Sequence, residues 1–182
     1  MTSGTFPETV HIRIMQADDL EQVQAIDELS FSMPWPASAF RYELYENPMS
    51  LLWVAEVATP SKKQKIAGFI VLWMIMDEAH IATLAVHPDY RELGIARRLL
   101  VTALAEAIHR GLRLATLEVR ANNTVAQKLY RRFRFKVVGS RPRYYRVNNE
   151  DALIMTVDGL DQNYLDWLES GDWAKNQENK NV

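Results

Sequence analysis

The sequence predicts a mixed α/β (α+β) domain with the element order βααβββαβαββ and one further helix near its C-terminal end. Three observations lead there. Apolar, β-branched runs of strand length mingle with amphipathic stretches of helical period, so both element types share one core. The mingling is not a strict βαβ alternation, which argues against a doubly wound sheet. Residues 80–100 read as a buried strand, a tight turn and the opening of a helix. A chain of 182 residues suits one domain, here placed at 10–157, with 158–182 as an extension; no internal repeat is visible.

In chain order, Val10 to Met15 alternates as a strand. Asp18, with Glu21 three residues on, opens a helix carrying Leu20, Val23, Ile26 and Leu29. Ser30 to Pro36 is a proline-broken loop with exposed-looking aromatics, and a second helix over Ala37 to Glu46 stops at Asn47-Pro48. Leu51 to Val57 and Ile66 to Met76 are strands on either side of a polar loop, Ala58 to Lys65. Asp77-Glu78 then turns the chain into the central strand, Ile81 to Val86, which Pro88 ends by removing a backbone donor.

Beyond a glycine turn, Ala96, Leu100, Ala103, Leu104, Ala107 and Ile108 recur at helical spacing up to Gly111. Leu114 to Arg120 is a strand, and the polar turn from Ala121 to Thr124 caps the next helix. That helix faces Ala126, Leu129, Tyr130 and Phe133 inward, with Gln127, Lys128, Arg131 and Arg132 outside. Phe135 to Gly139 and Ala152 to Val157 are the last strands, joined by Arg141 to Arg146. Leu160, Tyr164, Leu165, Trp167 and Leu168 predict a packing helix, and Ala174 to Val182 reads as a disordered tail.

Composition excludes several functions. A net charge of −2 argues against general nucleic-acid binding, and the absence of cysteine removes thiol nucleophiles and cysteine metal sites. His11, His80, His87 and His109 show no ligand spacing, so no metal is expected. The first residues lack the basic and apolar regions of a signal peptide, and the longest apolar run is too short for a bilayer. The expectation is a cytoplasmic protein with no membrane contact.

The turn Arg91-Glu92-Leu93-Gly94-Ile95-Ala96-Arg97 carries the first chemical signal. Gly94 and Ala96 let a ligand approach the backbone, and the free N–H groups of a helix start favour an anion. An ordinary strand-to-helix turn is the alternative. Neither a Gly-x-x-x-x-Gly-Lys-Ser/Thr loop nor a Gly-x-Gly-x-x-Gly turn is present.

Arg91-x-x-Gly94-x-Ala96 resembles the Arg/Gln-x-x-Gly-x-Gly/Ala signature of the GNAT acetyltransferases. Leu117-Glu118-Val119-Arg120-x-x-Asn123, followed by Ala126-x-x-Leu129-Tyr130, resembles the same segment of the RimI-type ribosomal-protein-alanine N-acetyltransferases. Met33-Pro34-Trp35 resembles their Phe-Pro-Trp loop, and Tyr144-Tyr145 with Glu150-Asp151-Ala152 their Tyr-Tyr…Glu-Asp-Ala ending. The resemblance spans residues 10–157 and implies a GNAT fold, a mixed, mostly antiparallel sheet flanked by helices.

It also implies roles. Leu84, Ala85 and Val86 would pair with the pantetheine arm of acetyl-CoA, the co-substrate. The turn from Arg91 through Glu92, Leu93, Gly94, Ile95 and Ala96 to Arg97 would take its pyrophosphate, and Asn123 would also touch it. Glu118 would serve as general base and Tyr130 as general acid to the leaving thiolate. Met33, Pro34, Trp35, Tyr144 and Tyr145 would flank the peptide, and His80 stands where some relatives carry a water-ordering tyrosine. The implied activity is acetylation of a protein's N-terminal α-amine, on the alanine of a ribosomal protein. A lysine or small-amine acetyltransferase and a non-catalytic acetyl-CoA-binding module are the alternatives.

Each residue also has a plainer reading. Glu118 could be an ion-paired edge carboxylate, Tyr130 a packing tyrosine, Trp35 a plug over the core, the Tyr144-Tyr145 pair a strand end, and His80 structural. The basic run Arg131 to Arg146 could suit RNA, although a cofactor-phosphate rim or a ribosomal docking face fits the acidic balance better. One position departs from the family. Arg134 stands where glycine is usual, and a left-handed backbone there would cost an arginine about 1 kcal/mol.

Overall fold

The structure, a computed structural model, describes residues 10–58 and 64–175. The polar lead-in, the centre of the lysine loop and most of the expected tail lie outside them. The chain divides into two compact units, one within Met1–Trp73 and Ile81–Ala103, the other within Met74–His80 and Leu104–Val182.

The first unit holds β1 (Val10–Ile14), α1 (Leu20–Ser30), α2 (Ala37–Tyr45), β2 (Ser50–Ala58) and most of β3 (Gln64–Ile75). To it also belong the end of β4 (Glu78–Val86) and the start of α3 (Ile95–His109). β1 pairs antiparallel with β2, β2 with β3, and β3 neighbours β4. Val23, Ile26 and Phe40 from the helices meet Leu52, Val54, Phe69, Val71 and Ala85 from the strands in one core. Gly68 permits the close approach of β3 to β4, since a Cβ there would lie 2.8 Å from the Ala85 carbonyl oxygen.

The start of α1 differs from expectation. Asp19, not Asp18 or Glu21, makes the cap. Its carboxylate accepts the Gln16 N–H at 2.7 Å and both Arg13 Nη atoms at 2.7 and 2.8 Å, and Ala17–Asp19 forms a 3-10 turn. Arg13 also binds Glu56, so one guanidinium ties β1, the helix entry and β2 together.

The second unit holds Glu78–His80 of β4, the end of α3, β5 (Leu114–Arg120), α4 (Thr124–Arg132), β6 (Lys136–Tyr145), β7 (Glu150–Asp158) and α5 (Gln162–Glu169). β4 runs parallel to β5 over His80↔Thr116, β5 antiparallel to β7, and β7 antiparallel to β6, with β6 outermost.

Three expectations are corrected. β6 does not stop at Gly139 but runs to Tyr145, and its register shifts between Arg141 and Tyr145. An edge strand tolerates Pro142, whose missing N–H has no ladder to break. Gln127 is buried, because its amide donates to the carbonyls of Arg120 and Ala121 at 3.2 and 2.8 Å. The buried stripe of α3 includes Ile95 and Leu99, while Ala96 and Ile108 are only half-buried. Tyr164, Leu165 and Leu168 of α5 are buried as expected.

Arg134 takes the left-handed conformation that the usual glycine would, with φ 65°. The extension meets it: the guanidinium lies 4.1 Å from the Trp167 ring centroid and 5.6 Å from that of Tyr164. Tyr164 Oη donates to the Phe133 carbonyl at 2.7 Å, and Phe133 packs on Trp167 and Trp173. Among the described residues no helix is long and apolar enough to cross a membrane.

Candidate active site

The second unit gathers the charged chemistry on one face of its strands. β5 alternates, burying Ala115, Leu117 and Val119 and turning Thr116, Glu118 and Arg120 to the other face. His80 pairs with Thr116 in register and shares that face, two residues from Glu118. His80 Nε2 lies 3.4 Å from Glu118 Oε2, and His80 Nδ1 lies 3.8 Å from Glu78. Arg141 reaches past β7 from the edge strand and donates from Nε to Glu118 Oε1 at 3.1 Å. Glu118 is therefore ion-paired, and its partners include a histidine and an exposed arginine.

Tyr130 is 7% exposed on the inner face of α4, its ring 5.8 Å from Phe135, and burial pushes its hydroxyl well above the usual phenol range. Tyr145 is also pushed up by burial, with the Arg120 guanidinium 3.8 Å from its ring centroid pulling the other way. Tyr145 is close enough to feel the charge of Glu118, and Tyr130 feels Tyr145 in turn. Arg120 is fixed by Glu150 at 2.9 Å, whose other oxygen accepts Asn122 N–H at 3.0 Å. Asp151 likewise accepts the Arg143 N–H at 2.7 Å, so the Glu-Asp pair expected at the chain's ending braces the strand ends around Arg120 and Tyr145. Asn123 Oδ1 caps α4 through the Ala126 N–H at 3.0 Å. Tyr144 is half-exposed, edge-on to Tyr145.

The first unit carries the glycine turn. Gly94 has φ +78°, and Glu92 is left-handed too. An added Cβ at Gly94 would find ordinary room, so conformation rather than crowding requires glycine there. The first turn of α3 holds Arg97 and Arg98 and no acid, with Arg97 folded back to within 3.6 Å of the Gly94 Cβ direction. Cations at a positive dipole end are unfavourable unless an anion joins them, so these residues fit a pyrophosphate. Arg91 Nε donates to the Val86 carbonyl at 3.2 Å, bracing the end of β4, on which Leu84 and Val86 are half-buried. Met33 and Pro34 are exposed at the tip of their loop, whereas Trp35 packs on Phe40 and stacks on Trp73 at 6.0 Å.

Sequence reasoning did not single out Arg141 as a partner of Glu118, nor Gly68. The second had a signal, an isolated glycine within an apolar strand.

This strand order, and a glycine turn followed by a cation-rich helix start, fit an acetyltransferase. The chain belongs to the GNAT acetyltransferase family, whose sequence profile matches residues 20–135. Within it, a Bacillus subtilis (strain 168) protein named provisionally as a ribosomal protein bS18-alanine N-acetyltransferase is 37% identical over 146 residues, 80% of this chain and 93% of that one. The crystal structure of the ribosomal-protein-S18-alanine N-acetyltransferase from Escherichia coli superimposes with a TM-score of 0.72 at 29% identity, covering 82% of this chain and 94% of that one. Ard1 from Thermoplasma volcanium gives a TM-score of 0.74 at 26% identity over 82% and 97%.

Proposed function

We propose that this acetyltransferase moves the acetyl group of acetyl-CoA to the N-terminal α-amine of a protein, the alanine of ribosomal protein bS18, in the cytoplasm. The observation that carries the reading is Glu118, held on β5 between His80 Nε2 and Arg141 Nε. The names of the relatives supply the substrate. The catalytic domain would be residues 10–157.

Acetyl-CoA supplies a thioester carbonyl. Arg91, Arg97 and the N–H groups after Gly94 hold its pyrophosphate, Leu84 to Val86 its pantetheine arm, and Asn123 adds a contact from the start of α4. Glu118 removes a proton from the substrate ammonium, directly or through water, because only the neutral amine can attack. His80 keeps the Glu118 carboxylate oriented. The N–C bond forms and the C–S bond breaks; the charge on the leaving sulfur is met by the Tyr130 hydroxyl, and sulfur takes up the second proton that the attacking nitrogen sheds. Burial keeps that hydroxyl protonated. Full transfer from so weak an acid to a thiolate runs uphill, so Tyr130 acts foremost by donating a hydrogen bond as charge gathers on sulfur. Met33, Pro34, Trp35, Tyr144 and Tyr145 hold the first residues of the peptide.

The α-amine has a physical advantage. Near pH 7 about a tenth of such amines are neutral, against well under a thousandth of lysine side chains. Mass spectrometry of ribosomal proteins from cells with and without this protein tests the reading. Loss of acetyl from the alanine N-terminus of bS18 in its absence is expected; an unchanged acetylation pattern would overturn it.

A further inference from the structure

We propose that Asp27 and Gln24 of α1 form a clip that sets the Met33-Pro34-Trp35 segment for the substrate peptide. The proposal rests on the reading of that segment as peptide-binding.

Both backbone groups of Trp35 are held by α1. Asp27 Oδ2 accepts the Trp35 N–H at 2.7 Å, and Gln24 Nε2 donates to the Trp35 carbonyl at 3.0 Å. Residues 24 and 27 stand one helical turn apart and so grip the same residue from one face. Asp27 is 0% exposed, an uncommon place for a carboxylate with no cationic partner among the described residues. Its Oδ1 is buried with no hydrogen-bond partner among those residues, as are Gln24 Oε1 and Ser30 Oγ on the same helix.

A surface acid would serve the helix without this desolvation, and a neutral residue would fill the space without it. What the burial achieves is a short, charge-assisted bond to one loop N–H, and such bonds are about twice as strong as neutral ones. The clip fixes where the backbone of Trp35 sits. The ring, tilted against Phe40 and stacked on Trp73, fixes the other end. Met33 and Pro34 are thereby presented on a rigid base while remaining exposed.

The same burial acts against the charge. Desolvation, with a smaller contribution from the nearby Glu28 charge, pushes Asp27 up to about 6, against the pull of the Trp35 N–H. On α2, which packs against α1, the buried acid is Glu43, which accepts Trp73 Nε1 at 2.9 Å and Asn47 at 2.8 Å. Gln24 Nε2 also donates to Glu28 at 3.0 Å. The charge that shortens the bond is thus held at a cost to the fold.

The test compares wild type with Asp27→Asn, which keeps the shape and removes the charge. Michaelis constants for an alanine-initiated peptide and for acetyl-CoA are measured at pH 8, together with amide hydrogen exchange at Trp35. At pH 8 the variant is expected to raise the peptide constant about three- to tenfold, as loss of one charge-assisted bond implies, with acetyl-CoA unaffected. Trp35 exchange should be slower in wild type than in the variant. A peptide constant that Asp27→Asn leaves unchanged, or Trp35 exchange indifferent to Asp27, overturns the clip. Trp35→Ala separates the two failures. If it too leaves the peptide constant unchanged, the peptide-binding reading of the segment is at fault; if it raises that constant while Asp27→Asn does not, the clip is.

Discussion

Replacing Arg134 with glycine should do almost nothing on its own and should stabilise a protein that has lost Trp167. The backbone at 134 is left-handed, φ 65°, which costs a non-glycine residue about 1 kcal/mol. Against this, the Arg134 guanidinium lies 4.1 Å from the Trp167 centroid, a cation–π contact at an exposed site worth roughly 0.5–1 kcal/mol. The two nearly cancel, so Arg134→Gly alone should shift stability by less than about 0.5 kcal/mol. In a Trp167→Ala background only the longer 5.6 Å contact with Tyr164 remains, and the same substitution should stabilise by up to about 1 kcal/mol, or about 2–4 °C in melting temperature for a domain of this size. Trp167 also touches Phe133 and Tyr164, so Trp167→Ala will be destabilising in itself; the double-mutant cycle removes that common cost. Thermal melts of the four proteins by circular dichroism give the coupling. If Arg134→Gly shifts the midpoint equally in both backgrounds, the extension does not compensate for the missing glycine.

Other substitutions address the chemistry and the scaffold. Glu118→Gln should cut turnover by roughly 10²–10⁴-fold while leaving acetyl-CoA affinity, measured by calorimetry, nearly intact. Tyr130→Phe, which removes only a hydroxyl, should also slow turnover, and a wild-type rate would remove Tyr130 from the chemistry. Gly94→Asp adds a negative charge and a side chain at φ +78°, so the thermal shift given by acetyl-CoA should be lost. Gly68→Ala would put a Cβ 2.8 Å from the Ala85 oxygen and should lower stability by about 1–3 kcal/mol, read as a lower urea midpoint. Asp27→Asn should stabilise, and only at higher pH. The folded-state value of about 6 lies above the unfolded 3.8, so ionisation penalises folding progressively from about pH 4 to pH 6 and fully above it. The gain is at most about 3 kcal/mol at pH 8 and should vanish below pH 4.

Most elements were legible because their periodicities are strong: the stripe of α4 and the alternation of β5 need no tertiary information. The second half of β6 was not, because an edge strand exposed along most of its length has no buried face to write a pattern, and Pro142 reads as a break unless the edge is known. Gln127 looked like surface because its burial depends on two carbonyls at the β5–α4 turn. Nothing in the sequence sets Asp27 apart; only the Trp35 N–H explains its burial. Glu118 and Tyr130 were legible through their motif, whereas the Arg141–Glu118 contact joins residues 23 apart in sequence across an intervening strand. Nothing short of the β5-β7-β6 order brings those two together.

The central claim, acetyl transfer to a protein's α-amine, is tested most directly with two peptides of one alanine-initiated sequence containing an internal lysine. One peptide has a free α-amine and the other a blocked one, and mass spectrometry locates the acetyl group. The account predicts acetylation of the free N-terminus, an untouched lysine, and no product from the blocked peptide. Comparable acetylation of lysine in the blocked peptide would contradict it.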